Sequence, residues 1–219
     1  MFSETRKIKP LKTSLLITTV ILLTISVITP TDSPNIHIGS YSINETILRD
    51  GDIIFRRGTS FVSNMVLMAD ESSPYSHTGI IKIFEDKVFV IHSVPAETPG
   101  EKDAVKIESI DYFLIRDRAT AVAVYRLMND DTLTATTAAN NALNYARINT
   151  PFDSDFNLDD DSKLYCTELV WKCYLNAGIN LTEKIAEDIK IPLKQGPIIL
   201  PGTLLKSKNI KHIYSKNFL

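Results

Sequence analysis

The chain has 219 residues, 44% of them hydrophobic, and a net charge of −2. Setting aside a short N-terminal stretch leaves the length of one domain with material for a sizeable core. No basic face is evident, which argues against nucleic acid as a partner.

Taken in chain order, the first feature is an export segment. Arg6, Lys7, Lys9 and Lys12 precede an uncharged apolar run at 15–28. Its length suits a signal-peptide core better than a long spanning helix. No A-x-A site follows, and no cysteine near its end could carry a lipid. Residues 1–29 are therefore read as a signal peptide or a membrane anchor. A half-exposed core helix is disfavoured, because apolar residues cover every face. Residues 30–47 are rich in turn formers and read as a linker. Residues 48–219 form the main domain, and export places it outside the cytoplasmic membrane.

Within that domain GDIIFRR (51–57) predicts a turn and a strand. SFVSNMVLMA (60–69) sets Phe61, Met65 and Met68 at helical spacing, and 70–74 is a loop. HTGIIKIF and KVFVIHSV flank Glu85 and Asp86, predicting a β-hairpin. In that register His77 lies opposite position 94, with His92 a diagonal step away. Residues 95–103 are a loop, 121–127 a strand, and 132–148 an Ala-rich helix. A second helix spans 165–177, with Gly178 as its stop. The Pro-broken tail IPLKQGPIILPGTLLKS is expected to be extended, with a closing strand near 212–214. Helices and strands are segregated, which predicts an α+β fold.

Two histidines and a cysteine carry the candidate chemistry. Cys166 falls on the inward side of the second helix, at its first turn. A helix N-terminus and a nearby imidazole lower a thiol pKa and make it nucleophilic. Read alone, Cys166 could equally be a small buried hydrophobe, which is the expectation for Cys173. Seven residues apart on one helix, the two sulfurs would be about 10 Å from each other. That is too far for a disulfide, so both thiols are expected to be free. His77 and His92, at facing strand positions, could orient one another, or each could be an ordinary strand residue. His37 and His212 have no such context and are read as structural. Asp153, Asp155, Asn157, Asp159 and Asp161 alternate like the start of a calcium loop. Leu158 stands where glycine is needed and Leu164 where glutamate is needed. The segment is read as a solvated loop whose acidity suits cationic or amine-bearing substrates, and no metal is expected.

GDIIF, SHTGI, VIHS and YCTELVW together resemble the NlpC-type branch of papain-like cysteine hydrolases. There the cysteine ordinarily precedes the histidine strands. Here it follows them, as in the circularly permuted group of YiiX/YebB-like and lecithin:retinol acyltransferase-like proteins. PFDSDF…YCTELVW…AG is similar to the YiiX/YebB-like group in particular. The resemblance spans about residues 48–205. It implies a permuted papain-like fold, an antiparallel sheet or small barrel packed on the helix that bears the cysteine. It implies Cys166 as nucleophile, His77 as general base and His92 as the residue orienting that base. A carboxylate is commoner at the third place, so His92 is a departure. The implied reaction is amide cleavage through a thioester, on a peptide or peptidoglycan fragment and without a cofactor. A lipid acyltransferase or lipid hydrolase on the same scaffold is the first rival. A zinc-binding domain and a catalytically silent domain are the others.

Overall fold

The computed structural model describes residues 39–96, 100–182 and 196–218. Residues 1–29, His37 and the IPLKQ part of the tail lie outside them. Six strands form one open antiparallel sheet: β1 (Ile53–Arg57), β2 (His77–Phe84), β3 (Lys87–Val94), β4 (Ala104–Ser109), β5 (Ala121–Leu127) and β6 (Ile210–Asn217). Their spatial order is β4-β3-β2-β1-β5-β6. The helices are α1 (Phe61–Ala69), α2 (Ile110–Phe113), α3 (Thr132–Arg147), α4 (Cys166–Leu175) and α5 (Pro201–Leu205).

The central strands are buried on both faces, which is why β1 and β2 read as nearly continuous apolar runs. On one face Ile53, Phe55, Ile80, Ile91 and Ala123 pack against α3 and α4. The helices answer with Ala138, Ala139 and Ala142 from α3 and Leu169, Val170, Cys173 and Tyr174 from α4. On the other face Ile54, Ile81, Val90, Val122 and Val124 pack against Phe113 and Leu114. Within 30–47, residues 39–47 lie on this second face: the Tyr41 N–H donates to Leu114 O at 2.9 Å, and the Tyr41 ring stacks on Phe218 at 3.8 Å.

The β2–β3 hairpin turns at Glu85 and Asp86, both at positive φ, as a two-residue hairpin turn requires. Its register pairs Ile80 with Ile91, which sets position 77 opposite 94 as the sequence predicts. The second helix starts one residue later than expected and ends two residues earlier. The tail differs more. Residues 201–205 form a helix instead of an extended segment, because Pro201 stands in its first turn, where a missing N–H costs nothing. β4 and α2 fill a stretch that the sequence left unassigned.

Candidate active site

Strand alternation sends successive residues of β2 to opposite faces, and this divides the site between two adjacent residues. Arg56 pairs with His77 across β1 and β2, and both point to the face that carries Phe113. Thr78 belongs to the face covered by α4. The same division occurs on β3. His92 joins His77, whereas the Ser93 hydroxyl donates to Leu164 O at 2.5 Å and holds the chain just before α4.

His77 Nε2 and His92 Nδ1 are 2.8 Å apart, and both rings are buried. His92 Nε2 lies 2.9 Å from Glu108 Oε2 on β4. Arg118 Nη1 is 3.7 Å from the same carboxylate oxygen. An ionised carboxylate only accepts, so it holds the His92 proton on Nε2. In neutral His92, Nδ1 is then an acceptor and His77 Nε2 donates to it. The remaining nitrogen of His77, Nδ1, is left as the basic one. Gly79 makes room for this arrangement. A Cβ there would meet Val90 Cγ1 at 2.7 Å, Ile91 O at 2.8 Å and His92 Cβ at 3.0 Å.

The electrostatics follow from burial. Desolvation, then the charges of Arg56 and His92, holds His77 well below the ordinary 6.5. Burial raises the Glu108 carboxyl, but His92, Arg118 and Arg56 outweigh it and leave the group below its ordinary value. Glu108 therefore stays ionised.

Cys166 opens α4 and is partly exposed, and both cysteines are free thiols. Three segments fix the start of this helix. Ser93 holds Leu164, the Leu164 N–H donates to Pro151 O at 3.0 Å, and the Thr167 hydroxyl donates to Ile199 O at 2.6 Å. The Thr78 N–H, one peptide bond beyond His77, is close enough to Cys166 to favour its thiolate. Sequence reasoning expects a lowered thiol pKa, and here the structure differs. Burial pushes Cys166 up to about 11, although the N–H groups of Thr78, Thr167 and Cys166 itself pull the other way. Desolvation of a thiolate outweighs the few N–H groups of a helix start. Cys173 is buried in the core and its thiol is raised further, as expected of a packing residue.

The acidic loop is solvated as expected except at its first carboxylate. Asp153 is buried, and its carboxylate accepts the N–H groups of Asp155 at 2.9 Å and Asn157 at 2.5 Å. The alternating carboxylates serve turns within the loop. Among the described residues no group of three or more His, Cys, Asp and Glu is placed to hold a metal ion. His77 and His92 turn their facing nitrogens on each other, which does not fit shared zinc ligation. His212 stacks edge-on against Tyr125 at 5.3 Å, far down the sheet from the histidine pair.

Sequence reasoning reached His77, His92 and Cys166 but missed Glu108, Arg118 and Arg56. Glu108 lies on a third strand, and no spacing in the sequence links it to His92.

The family model described as "Permuted papain-like amidase enzyme, YaeF/YiiX, C92 family" matches residues 47–214. Over 168 residues the chain is 29% identical to the uncharacterized protein YiiX of Escherichia coli (strain K12), spanning 76% of this chain and 73% of that protein. A crystal structure described as metalloprotein yiiX from Escherichia coli O157:H7 superposes with a TM-score of 0.63 at 23% identity. That match covers 77% of this chain and 97% of the other, and it shows a shared fold.

Proposed function

Given that the chain belongs to the permuted papain-like amidase family of YaeF and YiiX, we propose that Cys166 is the nucleophile that cleaves an amide bond, with His77 as its base. The observation that carries this reading is the ordered row His77–His92–Glu108, ending one peptide bond from the Thr78 N–H that favours the Cys166 thiolate. His77 Nδ1 takes the thiol proton as sulfur attacks the carbonyl carbon. The C–N bond then breaks, the same proton goes to the leaving amine, and a thioester remains on Cys166. The Cys166 N–H, at the free end of α4, steadies the oxyanion in this reading. Water, activated by His77, hydrolyses the thioester to the free acid. His92 and Glu108 touch no reacting atom. They set the tautomer of His77 and stabilise its charged form. The metal suggested by the description of the yiiX crystal structure finds no matching ligand group among the described residues of this chain.

A peptide or peptidoglycan fragment outside the cytoplasmic membrane is the substrate that suits an amidase carrying a segment like 1–29. A thiol-directed acyl probe tests the nucleophile. It should leave one adduct, mapped to Cys166, and Cys166→Ala should abolish both labelling and turnover while the protein stays folded. Labelling that persists in Cys166→Ala would overturn the assignment.

A further inference from the structure

The periodicity of 60–69 makes a helix, but the structure turns its apolar side outward. Phe61 is 79% exposed, Val62 43%, Met65 47% and Met68 81%. These positions form one stripe, at i, i+1, i+4 and i+7. No residue of α1 is buried. A nine-residue helix is marginal in water and ordinarily depends on packing of its apolar face. Here that face stays largely open to solvent. The helix contains no charged side chain, so covering it with an apolar medium leaves no ion to desolvate.

Its place in the fold narrows the occupant. The 58–76 excursion leaves β1 and returns at His77, since Arg56 pairs with His77 and the Gly58 N–H donates to the Ser76 hydroxyl at 2.9 Å. α1 therefore stands at the end of the sheet where the histidine row begins. The first described residues lie at the same place. Gly39 O accepts the Arg116 N–H at 2.7 Å and Ser40 bridges to Ile115, while the Thr59 hydroxyl donates to Asp117 O. The described part of the chain therefore begins on the loop that fastens the start of α1, and the uncharged apolar run 15–28 precedes it in sequence.

We propose that the α1 face, Phe61, Val62, Met65 and Met68, rests on a lipid bilayer and holds the His77 end of the sheet against the membrane surface. An amphipathic helix at such a surface buries its apolar side about 5–10 Å deep, at the boundary of headgroups and acyl chains. The uncharged stripe fits that depth, and the apolar run 15–28 precedes this edge of the domain in sequence.

The test uses the full chain with one tryptophan reporter. In a Trp171→Phe background, Phe61→Trp or Met68→Trp reports on the face, and both positions are exposed enough to accept the ring. Leu133→Trp, at a position 77% exposed at the start of α3, is the control. The probe is vesicles of phosphatidylethanolamine and phosphatidylglycerol with brominated acyl chains. With vesicles, the α1 reporters should shift to the blue and be quenched, and the Leu133→Trp reporter should do neither. Equal behaviour at all three positions overturns the proposal. A blue shift without vesicles also overturns it. If that shift grows with protein concentration, a second copy covers the face; if it does not, another part of the same chain does. The readout needs no turnover, so it stands or falls apart from the Cys166 mechanism.

Discussion

At the scale of single residues, the proposed site combines an unwilling acid with a weak base. The Cys166 thiol is raised to about 11 and His77 is held well below 6.5. At rest, therefore, thiol and imidazole are both neutral, and the proton moves only as the carbonyl is attacked. Alkylation of Cys166 by iodoacetamide should keep accelerating from pH 7 through 9, with Cys173 slower throughout. A rate that levels off near neutrality would show a standing thiolate–imidazolium pair instead. The orienting residues can be tested separately. His92→Gln keeps an oxygen that accepts from His77 Nε2 and should retain partial turnover. His92→Leu should lose about 10²-fold or more, approaching the 10²–10⁴-fold worth of the base itself. Glu108→Gln removes the charge that favours the imidazolium. It should cost on the order of tenfold, about 1.4 kcal/mol, and move the acidic limb of the pH–rate profile to lower pH. A purely structural Glu108 would lower activity without moving that limb.

At the scale of elements, α4 carries a second titrating group two residues beyond the cysteine. Glu168 accepts the Tyr165 N–H at 3.3 Å and pairs with Lys172 at 2.9 Å. Burial pushes its carboxyl up to about 7, against the pull of Lys172 and Tyr165. The folded protein therefore keeps this proton in a range where the unfolded chain has released it. The stabilising contribution is complete below about 4.5, the ordinary glutamate value, and is lost as pH rises through 7. His77 acts in the opposite sense, losing stability as pH falls below 6.5, but it is common to both proteins in a comparison. Wild type should therefore gain stability relative to Glu168→Gln on going from pH 8 to pH 5, read from urea midpoints. A constant difference would mean that Glu168 is ionised in the fold throughout. The elements also show where the sequence speaks and where it is silent. Two apolar alternations around Glu85 and Asp86 dictate the hairpin and put His92 beside His77. AVKIES is short and half-exposed at a sheet edge, so β4 has no strong pattern, and Glu108 goes unseen with it. Pro201 reads as a breaker when it begins a helix. Periodicity reveals α1 as helical but carries no sign of which side is covered. Burial is a property of the neighbours, and it also explains why Cys166 sits high although a helix start alone predicts the reverse.

At the scale of the whole molecule, the row His77–His92–Glu108 comes from one continuous meander, and the cysteine arrives on a later helix. The turn before β1 joins these parts. Gly51, at positive φ, lies against the backbone of α3 at Ala135, and Gly51 O accepts the Tyr174 hydroxyl of α4. Asp52 faces the other way and accepts both Arg126 Nε and Nη2 at 2.7 Å. Arg126 Nη2 also donates to Ile47 O at 2.6 Å, and Asp52 takes the Arg49 N–H at 2.9 Å. This two-residue turn thus ties the helix layer, the central strand, β5 and residues 47–49 together, which gives GD its physical reason. Burial raises the Asp52 carboxyl despite Arg126, so the ion pair depends on its partner. Arg126→Ala strands a buried carboxylate and an orphaned carbonyl, and should cost about 3–5 kcal/mol at neutral pH. Asp52→Asn combined with Arg126→Met removes both charges and keeps the volume, and should cost clearly less than Arg126→Ala alone. The loss in Arg126→Ala should also shrink as the solution is acidified, because protonating Asp52 removes the stranded charge. Urea unfolding of wild type and the two variants at neutral and acidic pH measures all three quantities. If Arg126→Ala costs under about 1 kcal/mol, the size of an exposed pair, then the layers are held together by apolar packing alone, and the Asp52–Arg126 clip is dispensable.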